Sequence, residues 1–341
     1  MCGYKQCSTA LVHNIKSMPS NLFELLNEDV FTAIMTHVVA DEPSFVIARR
    51  VCKQWRSEVA MHYVRIERHN LVTDADFETA FALSSRWNWR ASGEVALQPE
   101  YVHALHTISL LSCNALKNLN ALHAARVLCV LNLSLCSGLT NVDALATAPH
   151  LHTVRLFSCT HLTNIDALAL APVLHTLDLS GCMELENVDA LAEVSTLHTL
   201  SLRGCFKLLD VDALATAPAL HSLDLTWCTS LSNIGALGTA PVLYTLLLTG
   251  CTKLTEVDAL AKTPMLHTLN LRGCTGLTNV NALAAAHSLH TLNLMWCNGL
   301  TNVDALIGAR ALNTLDVRYC RGLKNVEALA GLPVLRRVYF C

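Results

Sequence analysis

Residues 174–196 read LHTLDLSGCMELENVDALAEVST, and residues 197–219 read LHTLSLRGCFKLLDVDALATAPA. The second stretch repeats the first closely and keeps its leucines, its histidine and its cysteine in register. Ten of the fifteen cysteines fall at this one position, at intervals of 23 residues from Cys113 to Cys320. A fixed period in the twenties is the signature of a solenoid, in which each repeat is one structural unit stacked on the next.

The apolar pattern inside one repeat predicts a short strand followed by a tight helical turn. Leu177 and Leu179 show the period-two alternation of a strand with one buried face. Apolar residues then recur at every third position over 185–191, a spacing that suits a tight turn on the opposite side of the repeat. Asn187 or Asp189 can cap the free N–H groups of this turn. A single repeat cannot bury its leucines, so the repeats must stack into one continuous core.

The repeated unit is L-H-T-L-x-L-x-x-C-x-x-L-T-N-V-D-A-L-A-x-A-P-x. Its first half resembles the leucine-rich-repeat pattern, with cysteine where asparagine is more usual. The resemblance covers residues 105–341, which hold ten full repeats and a truncated eleventh. It implies an α/β fold, a leucine-rich-repeat solenoid or horseshoe with a parallel sheet on its concave face. That face is the usual binding surface of such arrays.

The cysteine at the constant position has a structural and a functional interpretation. A small thiol is readily buried and can fill the turn where the chain leaves the strand. A zinc site would need several ligands converging on one point, whereas this column offers one sulfur per repeat. The sequence therefore favours packing over a metal site or a row of disulfides, and it indicates no metal and no cofactor.

A histidine follows the first core leucine in most repeats, so neighbouring histidines should lie about 5 Å apart. The simpler interpretation is a stacked, hydrogen-bonded ladder of imidazole rings. The alternatives are a row of metal ligands or a pH sensor. No acidic residue recurs beside the ring to complete a ligand set, which argues against metal. The members of this column are His106, His152, His175, His198, His221, His267 and His290.

Two outward-facing columns and the position after them vary from repeat to repeat, while the rest of the unit stays constant. Exposed tryptophans are unexpected there if only drift operates, so we predict that a partner binds on this face. Trp, Tyr and Arg carry most of the energy of protein interfaces. The predicted partner-binding residues are Arg203, Asp224, Trp227, Arg272, Met295, Trp296, Asp316, Arg318 and Tyr319.

The first hundred residues lack the repeat. A stretch that begins at Leu25 reads LLNEDVFTAIMTHVVADEPSFVIARRVCKQWRSEVA. It resembles an F-box, whose outline is a Leu-Pro start, an acidic residue, an apolar helix, a break and a closing Val-Cys-Lys-x-Trp-Arg. Residues 51–56 reproduce that ending, and residues 26–28 read Leu-Asn-Glu where Leu-Pro-Glu is usual. The simpler interpretation is a helical cap that covers the first repeat, which a solenoid needs for solubility.

An F-box followed by cysteine-containing leucine-rich repeats is a pairing found in substrate receptors of SCF-type ubiquitin ligases. The resemblance implies that the repeats hold a protein substrate near the ligase, which raises its effective concentration there. The alternative is a non-catalytic leucine-rich-repeat scaffold that is unconnected with ubiquitin. The residues implied to bind the SCF adaptor subunit are Leu26, Val30, Phe31, Ile34, Val51 and Trp55.

Four parts of the chain are predicted: a flexible N-terminus over 1–20, an F-box-like helical domain over 21–65, a linker and N-terminal cap over 66–104, and the solenoid over 105–341. The truncated eleventh repeat leaves Leu335, Val338 and Phe340 without a following repeat to cover them. An open strand edge with apolar neighbours invites pairing. We expect either that the sequence is a fragment of a longer array or that two chains pair end to end.

Composition narrows the function classes. An apolar content of 52% with a net charge of −3 is typical of a globular chain and gives no support for a nucleic-acid or membrane partner. No catalytic motif is present, so we expect a protein or peptide partner and no enzymatic activity. No secretory signal begins the chain, which predicts free thiols in the cytoplasm or nucleus.

Overall fold

The computed structural model describes residues 63–66, 87–90, 94–97, 106–114, 116–324 and 337–339. Within these residues the main feature is a sheet of twelve parallel strands, in which each neighbour along the sheet comes from the preceding or following repeat. Its strands are β1 Tyr63–Ile66, β4 Thr107–Leu110, β5 Val130–Asn132, β6 Thr153–Arg155, β7 Thr176–Asp178, β8 Thr199–Ser201, β9 Ser222–Asp224, β10 Thr245–Leu247, β11 Thr268–Asn270, β12 Thr291–Asn293, β13 Thr314–Asp316 and β14 Arg337–Tyr339.

One strand precedes the repeats and still joins the same sheet, because β1 pairs in parallel with β4. Between them in sequence, β2 (Trp87–Arg90) and β3 (Glu94–Leu97) form an antiparallel hairpin. The backbone of β3 lies beside the first 3-10 turn, Asn120–Ala124. The domain boundaries predicted within residues 1–104 stay a prediction.

The chain returns from one strand to the next through a short 3-10 turn of five residues, as the spacing of three in the sequence predicted. We call each repeat a rung and name it by its strand. The turns in the described part of the chain are Asn120–Ala124, Asp143–Thr147, Asp166–Leu170, Asp189–Glu193, Asp212–Thr216, Gly235–Thr239, Asp258–Lys262, Asn281–Ala285 and Asp304–Gly308.

The core lies between the sheet and the 3-10 turns, and it is a single hydrophobic cluster that runs through every rung from Ile108 to Cys320. Leu177 and Leu179 of the β7 rung are fully buried, and so is Leu191 of its turn. Burial of one leucine side chain stabilises a fold by about 1.5–3 kcal/mol, and each rung repeats this contribution. The parallel sheet, the returning turns and the shared core make this chain a leucine-rich-repeat solenoid.

The constant cysteines join neighbouring rungs. From Cys136 to Cys320, each thiol donates to a backbone carbonyl of the preceding rung, as in Cys182 Sγ to Leu156 O at 3.3 Å and Cys297 Sγ to Leu271 O at 3.0 Å. Burial raises the pKa of the Cys297 thiol to about 12, with a smaller effect from the neighbouring Cys320. The cysteines of the described rungs are free thiols, which confirms the packing interpretation.

In most rungs a side chain caps the start of the 3-10 turn. Asn187 Oδ1 accepts the N–H of Asp189 at 2.6 Å, two residues further on, and Asn164 and Asn233 make the same bond at 2.8 Å. The asparagine therefore satisfies one of the N–H groups that a helical start leaves free. The predicted cap is confirmed for Asn187.

Replacement of Asn187 by alanine is expected to lower the free energy of unfolding by about 1 kcal/mol, because the N–H of Asp189 loses its acceptor. Glu256 occupies the same position in the β10 rung, is exposed and caps no such N–H among the bonds of the described residues. Glu256→Ala is the matched control and should change stability by less than about 0.5 kcal/mol. Urea unfolding followed by circular dichroism measures both. Equal effects would show that the asparagine bond adds nothing.

Candidate functional site

The backbone after each strand from β4 to β13 passes through one residue with a positive φ, between 55° and 75° in all ten rungs. In nine of these rungs, from Ser112 to Trp296, the N–H of that residue donates to a carbonyl of the next rung. Trp227 N–H donates to Thr249 O at 2.7 Å, and Gly181 N–H donates to Arg203 O at 2.6 Å. The conformation is therefore part of the stacking of the rungs and is imposed whatever residue stands there.

Glycine adopts this conformation freely, whereas other residues pay about 1–2 kcal/mol for the approach of Cβ to the carbonyl oxygen. Four of the ten rungs use glycine at this position, and three place a large aromatic residue there instead. Trp227 is 47% exposed, Trp296 39% and Tyr319 46%. Large, exposed side chains at positions that favour glycine are a mark of function, because the scaffold alone does not need them.

The three aromatic residues contact neighbouring rungs without being buried. The rings of Trp296 and Tyr319 stack with their centroids 4.8 Å apart and their planes at 29°. The indole of Trp227 lies against Gly250, where an added Cβ would come within 2.7 Å of Cε3. Both arrangements orient the rings on the surface and leave a substantial part of each accessible to a partner.

Two of the predicted binding residues, Asp224 and Asp316, have a structural role that the sequence analysis did not assign. Asp224 Oδ1 accepts the N–H of Thr226 at 2.9 Å, and Asp316 Oδ1 accepts that of Arg318 at 3.1 Å. Asparagine does the same at this position in other rungs, as Asn293 does for Met295 at 2.9 Å. Six of the ten rungs have Asn or Asp at this position, and in each the side chain accepts the N–H two residues further on, so the variation of this column is not free of the scaffold.

The predicted arginines fall into two kinds. Arg203 and Arg272 are exposed, and no carboxylate of the described rungs lies within 4 Å of either guanidinium. Arg318 instead holds Asp316 through Nε and Nη2, at 3.0 and 2.6 Å, and its guanidinium lies 5.1 Å from the centre of the Tyr339 ring. Arg203 and Arg272 thus present exposed guanidinium groups, whereas Arg318 is held by contacts at the end of the array.

The structure places the nine predicted residues along one edge of the open face of the sheet, in two groups. Arg203, Asp224 and Trp227 lie on the adjacent rungs β8 and β9. Arg272, Met295, Trp296, Asp316, Arg318 and Tyr319 lie on the rungs β11, β12 and β13. Met295 is half-buried, between the buried Leu294 and the exposed Trp296. Whether these residues bind a partner stays a prediction.

Sequence reasoning missed two exposed apolar residues on the same edge. Phe157 in the β6 rung and Leu135 in the β5 rung are each 44% exposed. Leu135 also has a positive φ of 66°. The sequence contained the signal, because Phe157 occupies the same repeat position as Arg203, and Leu135 the same position as Trp227. Neither Phe nor Leu is among the residue types that dominate binding hot spots.

The histidine column forms the predicted ladder. Ring centroids of consecutive members from His152 to His290 lie 4.4–4.9 Å apart, with planes within 14° of parallel, and Tyr244 continues the stack in place of histidine. The rings of His152, His175, His198 and His267 bond to the adjacent threonine, as in His175 Nδ1 to Thr176 Oγ1 at 3.3 Å, and the ring of His290 bonds to Ser288 O at 2.7 Å. In the described part of the chain, no group of three or more His, Cys, Asp or Glu residues has the arrangement of a metal site.

Partial burial lowers the pKa of His175, and repulsion from the rings of His198 and His152 lowers it further. Because the pKa of His175 is lower in the folded chain than its ordinary value of 6.5, the unfolded chain binds more protons near that pH. The contribution of His175 to the free energy of unfolding is therefore fully present above pH 6.5 and is lost as the pH falls below it. His175→Asn copies Asn313, whose Oδ1 accepts a bond from Thr314 at 3.0 Å. Between pH 7.5 and pH 5.5, the melting temperature of His175→Asn should therefore fall by less than that of the wild type.

The control for this pH experiment is His287→Asn, because His287 is exposed and lies off the ladder. Thermal melts of the three proteins at both pH values give the comparison. If His175→Asn and His287→Asn show the same pH dependence as the wild type, repulsion within the ladder does not affect stability.

The stability order of glycine and alanine variants should differ between a position with a positive φ and one without. Trp227→Gly should be more stable than Trp227→Ala by about 1–2 kcal/mol, because only glycine relieves the positive φ. At Phe206, which is 41% exposed but does not have a positive φ, the order should reverse, and the glycine variant should be less stable by about 0.5–1 kcal/mol. Urea unfolding of the four variants measures the order. The same order at both sites would contradict the strain at Trp227.

No helix in the described residues has the length and apolar character needed to cross a membrane.

No family model matches the sequence, and no curated protein matches it. Among solved structures, the chain is similar to an internalin (InlF) from Listeria monocytogenes, with 14% identity over 73% of this chain and 90% of that chain and a TM-score of 0.49. It is also similar to the leucine-rich repeat domain of the type III effector XopL, with 20% identity over 92% of this chain and 94% of that chain and a TM-score of 0.47. A third is the plant peptide hormone receptor RGFR1 in complex with RGF2, with 15% identity over 74% of this chain and 59% of that chain and a TM-score of 0.31.

Proposed function

We propose that this chain is a non-catalytic interaction protein that binds a protein or peptide partner on the open face of its solenoid, along the edge that carries Trp227, Trp296 and Tyr319. The observation that supports this function is the presence of exposed aromatic residues at left-handed positions where four sister rungs have glycine. Strain of this kind persists where function requires it. Aromatic rings with nearby arginines are also the composition of binding hot spots.

The same surface does not have the composition of a nucleic-acid site. Its cations alternate with the carboxylates of Asp224 and Asp316, whereas binding to a phosphate backbone favours a uniformly basic face. The net charge of −3 gives no long-range attraction for a polyanion. A protein or peptide that presents both apolar and acidic groups suits the surface better.

The partner can be identified with a photo-crosslinking amino acid at position 295, next to Trp296. The full-length chain is irradiated in its own cell extract, and the joined protein is identified by mass spectrometry and then purified. Trp296→Ala and Arg318→Ala should each weaken its binding by roughly 2 kcal/mol or more, which calorimetry measures. Their melting temperatures should change little in comparison.

Asn132→Ala and Ser134→Ala at the other end of the array are the controls for this binding experiment. They should leave the affinity unchanged, because both residues lie far from the two aromatic groups. An equal loss of affinity in the control variants would show that the partner does not bind selectively at the end that carries Trp296. A loss of affinity that only follows unfolding would show that the aromatic residues are structural.

A finer function is favoured by residues 51–56, Val-Cys-Lys-Gln-Trp-Arg, which resemble the end of an F-box. We propose on this ground that the partner is a substrate and that the chain connects it to an SCF-type ubiquitin ligase. The residues expected to bind the adaptor, Leu26, Val30, Phe31, Ile34, Val51 and Trp55, lie outside the described part of the chain. The proposal therefore depends on the sequence motif.

Leu26→Ala and Phe31→Ala should weaken binding of the full chain to a purified SCF adaptor, with little loss of stability, because an F-box exposes this face to its adaptor. Ile34→Ala and Trp55→Ala should instead destabilise the N-terminal segment by on the order of 3 kcal/mol through lost packing. Calorimetric titration and thermal melts separate the two effects. If the wild-type chain does not bind the adaptor, the ligase proposal is wrong and the scaffold function stands alone.

A further inference from the structure

The arginine and tryptophan residues of the open face form a pattern that repeats along the solenoid. Arg203 lies on the β8 rung and Trp227 on the β9 rung, and Arg272 and Trp296 stand in the same relation on the β11 and β12 rungs. The two arginines are separated by 69 residues, or three repeats, and so are the two tryptophans. The surface therefore carries two copies of one Arg–Trp pair.

The chemistry of one pair selects an acidic residue beside an apolar residue. An exposed guanidinium without a carboxylate within 4 Å among the described rungs, as in Arg203 and Arg272, can bind a carboxylate through two parallel hydrogen bonds. The tryptophan one rung further on offers a flat apolar surface to the neighbouring side chain of the same ligand. Each pair is thus an anchor for two side chains on one face of the ligand, which in an extended peptide belong to residues two positions apart.

The separation of the pairs selects the conformation of the ligand. Rings stacked on adjacent rungs lie 4.4–4.9 Å apart, so three rungs span about 14 Å, as three strand spacings do. An extended peptide covers about 13 Å in four residues. A helix returns to the same face at about 10.8 and 16.2 Å, on either side of this distance. An extended chain that crosses the strands fits the two anchors, and a helix does not.

The surface between the anchors is open enough for such a chain. Gly250 and Gly273 occupy the left-handed positions of the two rungs between Trp227 and Trp296. A Cβ at Gly273 would meet its nearest atoms at 3.8 Å, so this part of the surface carries no side chain and is not crowded. The indole of Trp227 leans over Gly250 and forms one border of the opening.

We propose that the two Arg–Trp pairs bind one extended acidic peptide segment, in which an acidic residue followed two positions later by an apolar residue recurs four positions further along. This inference rests on the proposed function and gives the chemical class of its partner. The carboxylate of Asp224 lies between the two arginines along the face and favours separate acidic side chains over a continuous phosphate backbone.

A random 12-residue peptide library displayed on phage tests the proposal on the full-length chain. Peptides that bind the wild type should be enriched in two acidic–apolar pairs whose acidic residues are four positions apart. Selection on the Arg203→Gln/Arg272→Gln double variant should not enrich them. Enrichment of basic peptides, enrichment of another spacing, or no enrichment over the double variant would overturn the proposal.

The affinity of an enriched peptide then tests each anchor by fluorescence polarisation. Arg203→Gln, Arg272→Gln, Trp227→Gly and Trp296→Gly should each weaken binding at least tenfold, as should two extra residues inserted between the acidic–apolar pairs. Arg310→Gln is the matched control, because Arg310 is exposed and lies beyond a 3-10 turn on the opposite side of the rung. Unchanged affinity of the peptide after the insertion, or for any two of the four protein variants, would contradict the two-anchor arrangement.

Two outcomes separate this inference from the function on which it rests. If the crosslinked protein partner requires Trp296 but the library shows no preferred spacing, the proposed function stands and the two-anchor inference is wrong. If single-stranded oligouridine binds the wild type more tightly than every selected peptide and loses affinity in the arginine double variant, the ligand is a nucleic acid and the acidic peptide is excluded.

Discussion

The hydrogen bonds between rungs are the constraint on which the rest of the structure depends. No repeat can pair the backbone hydrogen-bonding groups of its own strand. The N–H groups of each strand must therefore donate to carbonyls in the matching register of the neighbouring repeat. His175 N–H donates to His152 O at 2.9 Å, and the same bond recurs between most later rungs. A one-residue change in repeat length would displace this pairing and turn the core leucines outward. The strict period of 23 residues follows from this requirement.

The same constraint explains the constant columns and the left-handed residue. Cysteine places a small thiol against a carbonyl of the preceding rung, and histidine stacks because rungs spaced 4.4–4.9 Å apart bring the rings into contact. The residue with a positive φ after each strand from β4 to β12 also donates its N–H to the next rung, as Gly181 does to Arg203 O at 2.6 Å. Trp227 and Trp296 stand at this left-handed position, and the function that we propose assigns them to partner binding.

Much of the fold could be predicted from the sequence, because it depends on periodicity. The positions of strands, of 3-10 turns and of the histidine ladder follow from which residues recur and at what spacing. The positive φ could not be predicted in the same way, since Ser158, Leu135 and Trp227 adopt it without being glycine. The bond from Asp224 to the N–H of Thr226 was also missed, because a side chain that caps a backbone group and one that meets a partner look alike in a sequence.

The central claim is that Trp227 and Trp296 serve partner binding, although each holds its backbone in a strained conformation with a positive φ. The most direct measurement is a calorimetric titration of the crosslinked partner into a Trp227→Gly/Trp296→Gly double variant, with the urea unfolding of that variant and of the Trp227→Ala/Trp296→Ala double variant measured alongside. The account predicts that both variants lose the partner and that the glycine variant is the more stable of the two. Partner binding by the glycine variant at wild-type affinity would contradict it.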